Sequence, residues 1–270
     1  MAVDKLVDST QLESGLTAIA DAIRAKTGKS ASMQFPGEFV SEIGSISGSE
    51  VENEDGLING TLTTYENVRV TKIDTDVFSY NNSIVSISLP NVTSLSTKRA
   101  TAIKYNPNLE HVYLPKLSSV YNSMNGCFQG NPKLQAIALP SRIGVIGGSV
   151  FHGDTALSAV DLGPDVTQAG GAQAYYNCTA LKTLVIRRTS IATIVNVNCF
   201  QNSSFASNGT GGTIYIPKVL YDELGTGSSL DYKAATNWST IDAYGTITWA
   251  QIEGSIYETE YADGTPILTT

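Results

Sequence analysis

Charge is scarce in this chain, and so are most of the groups that catalysis requires. Asp, Glu, Lys and Arg make up 16% of the 270 residues, and histidine occurs twice, at His111 and His152. Neither histidine has a Cys, Ser or acid partner at a motif spacing, and no GxSxG, HExxH, Walker A or GxGxxG pattern occurs. The three cysteines, Cys127, Cys178 and Cys199, are odd in number and none sits at CxxC spacing. They read as reduced packing residues, not as a disulfide framework or a metal site. Net charge is −8, which gives the chain no electrostatic reason to hold nucleic acid. Its densest basic spots are the pairs Lys98-Arg99 and Arg187-Arg188, expected to be solvated surface. No run approaches the ~18 apolar residues of a membrane span. The start, MAVDKLVDSTQLESG, has no basic stretch followed by an apolar one. The expectation is therefore a chain without a signal peptide, made in a cytoplasm. A glycosidase needs only two suitably spaced carboxylates, so a carbohydrate-active enzyme is kept as an alternative. The expected reading is a non-enzyme with no catalytic residue, no cofactor and no metal.

Repetition is what the chain has in abundance. NNSIVSISLP, NPNLEHVYLP, NPKLQAIALP, DTALSAVDLG and CTALKTLVIR align on the apolar residues Ile84, Leu109, Leu134, Leu157 and Leu181, and a weaker copy aligns on Phe205. The steps between these positions are 25, 25, 23, 24 and 24 residues. Three places after the anchor stand Ile87, Val112, Ile137, Val160 and Leu184; five places after stand Leu89, Leu114, Leu139, Leu162 and Ile186. Two positions one strand step apart point the same way, so both columns belong to a core. The intervening columns hold Ser86, His111, Ala136, Ala159 and Thr183, and Ser88, Tyr113, Ala138, Asp161 and Val185. Their mixed chemistry suits an outward face.

Three places before the anchor stand Asn81, Asn106, Asn131, Asp154, Cys178 and Asn202, an inward column that can satisfy loop amides and carbonyls. Six places before stand Phe78, Ile103, Phe128, Phe151 and Tyr175, with Phe200 offset by one. A second apolar pair follows each strand: Val92 and Leu95, Leu117 and Val120, Ile143 and Ile146, Val166 and Ala169, Ile191 and Ile194; Val70 and Ile73 begin the series. These columns predict a β-rich solenoid of parallel strands in about five to six coils of 23–25 residues, with a small α-helical segment at the N-terminus.

The unit resembles the BspA-type leucine-rich repeat over about residues 65–217. The flanks, LVDSTQLESGLTAIADAIRAKTGKS…FPGEFVSEI and YKAATNWST, resemble the ends of repeat proteins in phage and prophage structural modules of Gram-positive gut bacteria. That resemblance implies a virion setting: a fibre or tail-associated protein that displays the solenoid for host attachment.

At the N-terminus, Thr10-Gln-Leu-Glu13 is a capping box. Leu12, Leu16, Ile19 and Ile23 follow as one apolar stripe of a helix over about 11–26. A second short helix is predicted from Pro36 to about Ile43. The predicted organisation is a helical attachment or oligomerisation segment (1–46), a polar linker (47–56), the solenoid (57–217), and a C-terminal cap and tail (218–270). A hairpin is expected at 57–80 to cover the first coil. Tyr221, Leu224, Tyr232, Trp238 and Ile241 are expected to close the far end. The stretch around Trp249 is expected to form an edge strand or to be donated to a neighbour.

Two partners are possible for the stripe: the open end of the solenoid, or other subunits and virion proteins. The two are nearly balanced, and the linker favours the second slightly, since a tight cap needs no tether; the short apolar helix and the fibre-like setting predict a homo-oligomer, a trimer by preference. The broad outer face would meet a host-surface glycan or protein, with His111, Tyr113, Asp161 and Tyr215 as candidate ligand residues: rings stack on apolar sugar faces, and charged groups bond sugar hydroxyls. A bacterial adhesin or interaction scaffold is the alternative reading.

Overall fold

Parallel pairing between strands about one repeat apart organises the structure. The computed structural model describes residues 61–73, 78–95, 103–120, 124–139 and 142–252. The expected stripe Leu12, Leu16, Ile19 and Ile23, the second short helix and the linker lie outside these residues, as does everything after Ile252. All described residues belong to the second of two compact units, Ser49–Thr270.

The principal strands are β1 (Thr64–Glu66), β3 (Ser86–Ser88), β5 (His111–Tyr113), β7 (Ala136–Leu139), β8 (Ala159–Leu162), β10 (Thr183–Ile186), β12 (Gly212–Ile216) and β13 (Ile247–Gln251). They form two parallel sheets, β1-β3-β5 and β13-β12-β10-β8-β7. Shorter strands follow: β2 (Lys72–Ile73), β4 (Ser94–Leu95) and β6 (Ser119–Val120) form one small sheet, and β9 (Gln168–Gly170) and β11 (Thr193–Ile194) another. The arrangement fits a repeat solenoid. Among the described residues of 57–80 the expected hairpin is not seen. Instead β1 pairs parallel with β3, placing Tyr65 opposite Ile87, and β2 pairs parallel with β4. Tyr65 is buried and edge-on to Phe78, so this segment is already a repeat.

The inward columns are filled as their period requires. Ile137, Val160, Leu184, Ile214 and Trp249 stand opposite one another on successive strands. Leu89, Leu114, Leu139, Leu162 and Ile186 are all buried. Behind them the aromatic column stacks, with centroid distances of 5.8 Å for Phe128–Phe151, 5.6 Å for Phe151–Tyr175 and 4.9 Å for Tyr175–Phe200. Near-parallel rings at this spacing add to the gain from burial. Cys127, Cys178 and Cys199 are buried free thiols within this core.

The amide column is a relay. Asn81 accepts at Oδ1 from the amides of Ser83 and Ile84, closing its own turn. Its amide in turn donates to Asn106 Oδ1 at 2.9 Å. The Asn106 amide donates to Asn131 Oδ1 at 3.0 Å, and the Asn131 amide to Asp154 Oδ1 at 2.7 Å. The side-chain NH2 groups serve carbonyls: Asn106 bonds Phe78, and Asn131 bonds Ile103 and Phe128. At Cys178 a thiol takes this place: it bonds the Phe151 carbonyl at 2.9 Å and receives a hydrogen bond from the Asp154 backbone. Asn202 does not continue the column. It is exposed, and buried Ser203 donates to the Phe200 carbonyl in its place. The last repeat is therefore one residue out of step, in line with the offset at Phe200. A further loop between Phe205 and β12 delays its strand.

The far end is closed by polar contacts as well as apolar ones. A 3-10 turn (Val197–Phe200) and the short helices α1 (Lys218–Tyr221) and α2 (Trp238–Asp242) surround it. Tyr232, Trp238 and Ile241 are fully buried, whereas Tyr221, expected to join them, is exposed. The Tyr232 hydroxyl accepts from the Ala192 amide at 3.0 Å, and Trp238 Nε1 donates to the Ala192 carbonyl at 2.7 Å. Both backbone groups of Ala192 are thus bonded by side chains of the closing segment. β13 is an edge strand of its own chain's sheet, parallel to β12, not a strand given away.

Candidate functional site

The outer wall begins as expected and then changes character. On β5, the His111 side chain is 62% exposed, with Nε2 4.0 Å from Glu110. Tyr113 on the same strand is half-buried. By register they lie beside Ser86 and Ser88 of β3, whose side chains are also half-buried. Further along, Ala138, Ala159, Asp161 and Val185 are buried, and β8 is buried on both faces. The outward column is closed over the middle repeats and opens again beyond them, where Thr183 and Tyr215 are half-buried and Thr248 is exposed.

Asp161 is the reason one charged residue tolerates this. Arg187, just past β10, donates from Nε to Asp161 Oδ1 and from a terminal nitrogen to Oδ2, each at 2.7 Å. Both side chains have 0% exposure. Arg187 is therefore an internal ion-pair partner, not solvated surface as its sequence suggested. Burial raises the Asp161 carboxyl to about 7, and the Arg187 guanidinium pulls it the other way. A bidentate Arg–carboxylate pair satisfies both groups geometrically. Asp161 is thus withdrawn from any ligand on the wall. Tyr215 on β12 is half-buried and stands opposite Val185. The four candidate residues do not converge: His111 and Tyr113 form one patch, and Tyr215 lies across the closed strip.

A second surface, at the turn before each buried amide, was not singled out from sequence. Here Tyr80 and Tyr105 are exposed, with ring centroids 5.0 Å apart. Along the same edge His152 and Tyr176 meet at 4.6 Å. Burial lowers the His152 pKa, favouring the neutral ring. Tyr176 receives a hydrogen bond from Asn202 Nδ2 at 3.2 Å. Next to it opens a pocket of ≈ 320 Å³, whose lining includes Asn177, Thr179, Asn202, Ser204, Asn208 and Thr210. A signal for the turn column was available: Gly130, Gly153 and Asn177 all stand four places before their anchors, and Gly and Asn are the residues that accept left-handed backbone.

Among the described residues no group of three or more His, Cys, Asp or Glu side chains is placed to hold a metal ion, and no helix is long and apolar enough to cross a membrane. Buried polar atoms without a partner among the described residues are Asp154 Oδ2 and Arg188 Nε.

No curated protein matches the chain. The BspA type leucine rich repeat region matches in six copies, over residues 7–135 and 59–182. These spans cover more than half of the sequence and include the first inward columns and the amide relay. The repeat suggests a role in protein interaction or adhesion. The chain belongs to the BspA-type leucine-rich repeat family.

Proposed function

We propose that this protein is a non-enzymatic virion component, fibre or tail-associated, that holds a host-surface glycan or protein through its leucine-rich repeat solenoid. The observation that carries the binding half of this reading is the stack of parallel strands in lateral register. It fixes side chains about 4.8 Å apart across neighbouring strands without conformational search. The virion half rests on the likeness of the flanking segments to phage structural proteins, and on the stripe Leu12, Leu16, Ile19 and Ile23, which suits attachment to other virion proteins or to copies of the same chain. In this reading the protein is made in the host cytoplasm and leaves by lysis, needing neither a leader nor a cofactor.

Purified particles from an induced host culture, digested and analysed by mass spectrometry, test the setting. The expected result is peptides of this chain at structural-protein abundance. Finding the chain only on intact cell envelopes would reject the virion reading in favour of an adhesin. Light scattering on the full chain should give three times 28.7 kDa for the proposed trimer; a monomer mass would reject self-assembly.

A further inference from the structure

One edge of the repeat stack adopts a backbone conformation that some of its side chains do not suit. Four places before each anchor the chain turns left-handed, at Tyr80 (φ 60°), Tyr105 (57°), Gly130 (76°), Gly153 (83°) and Asn177 (61°). Gly and Asn accept this readily, whereas a bulky residue held there costs on the order of 1–3 kcal/mol. The chain uses the undemanding residues at three of these turns and tyrosine at two, so backbone geometry does not account for Tyr80 and Tyr105. The core does not account for them either: they are 66% and 37% exposed. The Tyr105 ring lies across Gly130, where a Cβ would stand only 2.3 Å from its Cδ1. A side chain at 130 would displace the ring.

The edge is continuous. The amides of Tyr80, Tyr105, Gly130, Gly153 and Asn177 donate in turn to the carbonyls of Lys104, Gln129, His152, Tyr176 and Gln201. Each step is one strand spacing of ~4.8 Å, so the Tyr80 turn lies about 24 Å from the Asn202 turn. Along that length stand a tyrosine pair, then a His–Tyr pair, then the neutral pocket. The pocket is lined only by amide, hydroxyl and glycine residues. Of the nearby amines, Lys182 is engaged with Thr210 and the Gly211 carbonyl, and Lys104 lies 5.1 Å from the Tyr105 ring centre.

We infer that this turn edge, not the strand wall, is a carbohydrate-binding site for a neutral oligosaccharide. Its exposed rings stack on the apolar faces of successive sugar units, and the amides and hydroxyls of the pocket bond the hydroxyls of a terminal unit. The inference rests on the reading of the protein as a surface-binding module and names the ligand class and the residues of that site.

The test uses the full chain on a printed array of neutral oligosaccharides, each beside its sialylated and sulfated counterpart, followed by titration of the best-retained sugar. Tyr80→Gly and Tyr105→Gly remove a ring in a conformation that glycine prefers, and His111→Ala and Tyr113→Ala serve as wall controls. Retention of neutral sugars is expected. Each glycine variant should weaken affinity roughly tenfold, the scale of losing one aromatic anchor. Its melting temperature should not fall, and the wall controls should bind normally. The inference is overturned if only anionic sugars are held, if the wall variants and not the ring variants lose binding, or if the ring variants melt lower in proportion to their loss. A protein that retains no sugar yet adheres to intact host cells would sink this site alone. One that holds sugar through these rings but is absent from particles and does not adhere to cells would sink the virion attachment reading and leave the site standing.

Discussion

Replacing Asp154 by Asn should stabilise this protein, and the reason lies in the relay. Asn131, one repeat earlier, uses both halves of its amide: Oδ1 accepts from Asn106, and the NH2 donates to the carbonyls of Ile103 and Phe128. Asp154 performs only the accepting half, taking the Asn131 amide on Oδ1, while its buried Oδ2 has no partner. Burial raises the Asp154 carboxyl well above the usual carboxylate range, against the pull of the Asn131 and Gly130 amides. An asparagine would replace an unpartnered oxygen by a donor where neighbouring repeats use one. One net hydrogen bond contributes about 0.5–1.5 kcal/mol, and removing an unsatisfied buried group gains about 1–3 kcal/mol. We expect about 2 kcal/mol near neutrality, or a rise in melting temperature on the order of 4–8 °C. The pH dependence follows from the raised folded value. Between the unfolded pKa near ~3.9 and the folded one, the native state binds the extra proton. The contribution of Asp154 is therefore complete below about pH 4 and is lost as pH rises through the folded value. Thermal melts of both proteins from pH 4 to 8 should show the gap widening with pH. An Asp154→Asn protein that melts at or below the parent near pH 7, or a gap that does not change with pH, would refute the reasoning.

Arg187→Met leaves the buried Asp161 carboxylate without its partner, and denaturant unfolding should show a loss of about 3–5 kcal/mol; adding Asp161→Leu should recover most of it, because the desolvated charge is then gone. Gly171→Ala puts a Cβ 2.5 Å from the Gly147 carbonyl carbon, so backbone must shift between adjacent repeats. A cost of about 1–3 kcal/mol is expected by the same measurement. The thiols of Cys178 and Cys199 are buried, and burial raises both above the ordinary range. A thiol reagent at neutral pH should therefore leave them unmodified in the native protein and label them after unfolding.

What could be read from sequence was whatever recurs. Leu114, Leu139 and Leu162 share a column because the repeat must bury the same face each time, and Asn81, Asn106 and Asn131 share one because each repeat has the same amides to satisfy. Two kinds of information do not recur. The Asp161–Arg187 pair joins an outward strand position to one just past the next strand, so the column pattern assigned Asp161 to solvent and Arg187 to a surface patch. The left-handed turn is a property of backbone, and its column of Tyr, Tyr, Gly, Gly and Asn signals it at three of the five positions only. The last repeat was misread at Asn202 because one additional residue shifts its register, a change that a fixed-period alignment absorbs silently. At the start, β1 was taken for half of a hairpin because an incomplete repeat lacks the columns that would identify it.

The grip of Tyr232 and Trp238 on Ala192 sets a limit on assembly. A stack of parallel strands is in principle extendable, since each terminal layer offers the next the same docking pattern. Here the terminal layer's main-chain valences at Ala192 are consumed from within the molecule. Copies of this chain therefore have no template at that point for fusing head to tail into a filament. The closure is local: it caps the layer at Ala192, whereas β13 remains the terminal strand of its sheet among the described residues.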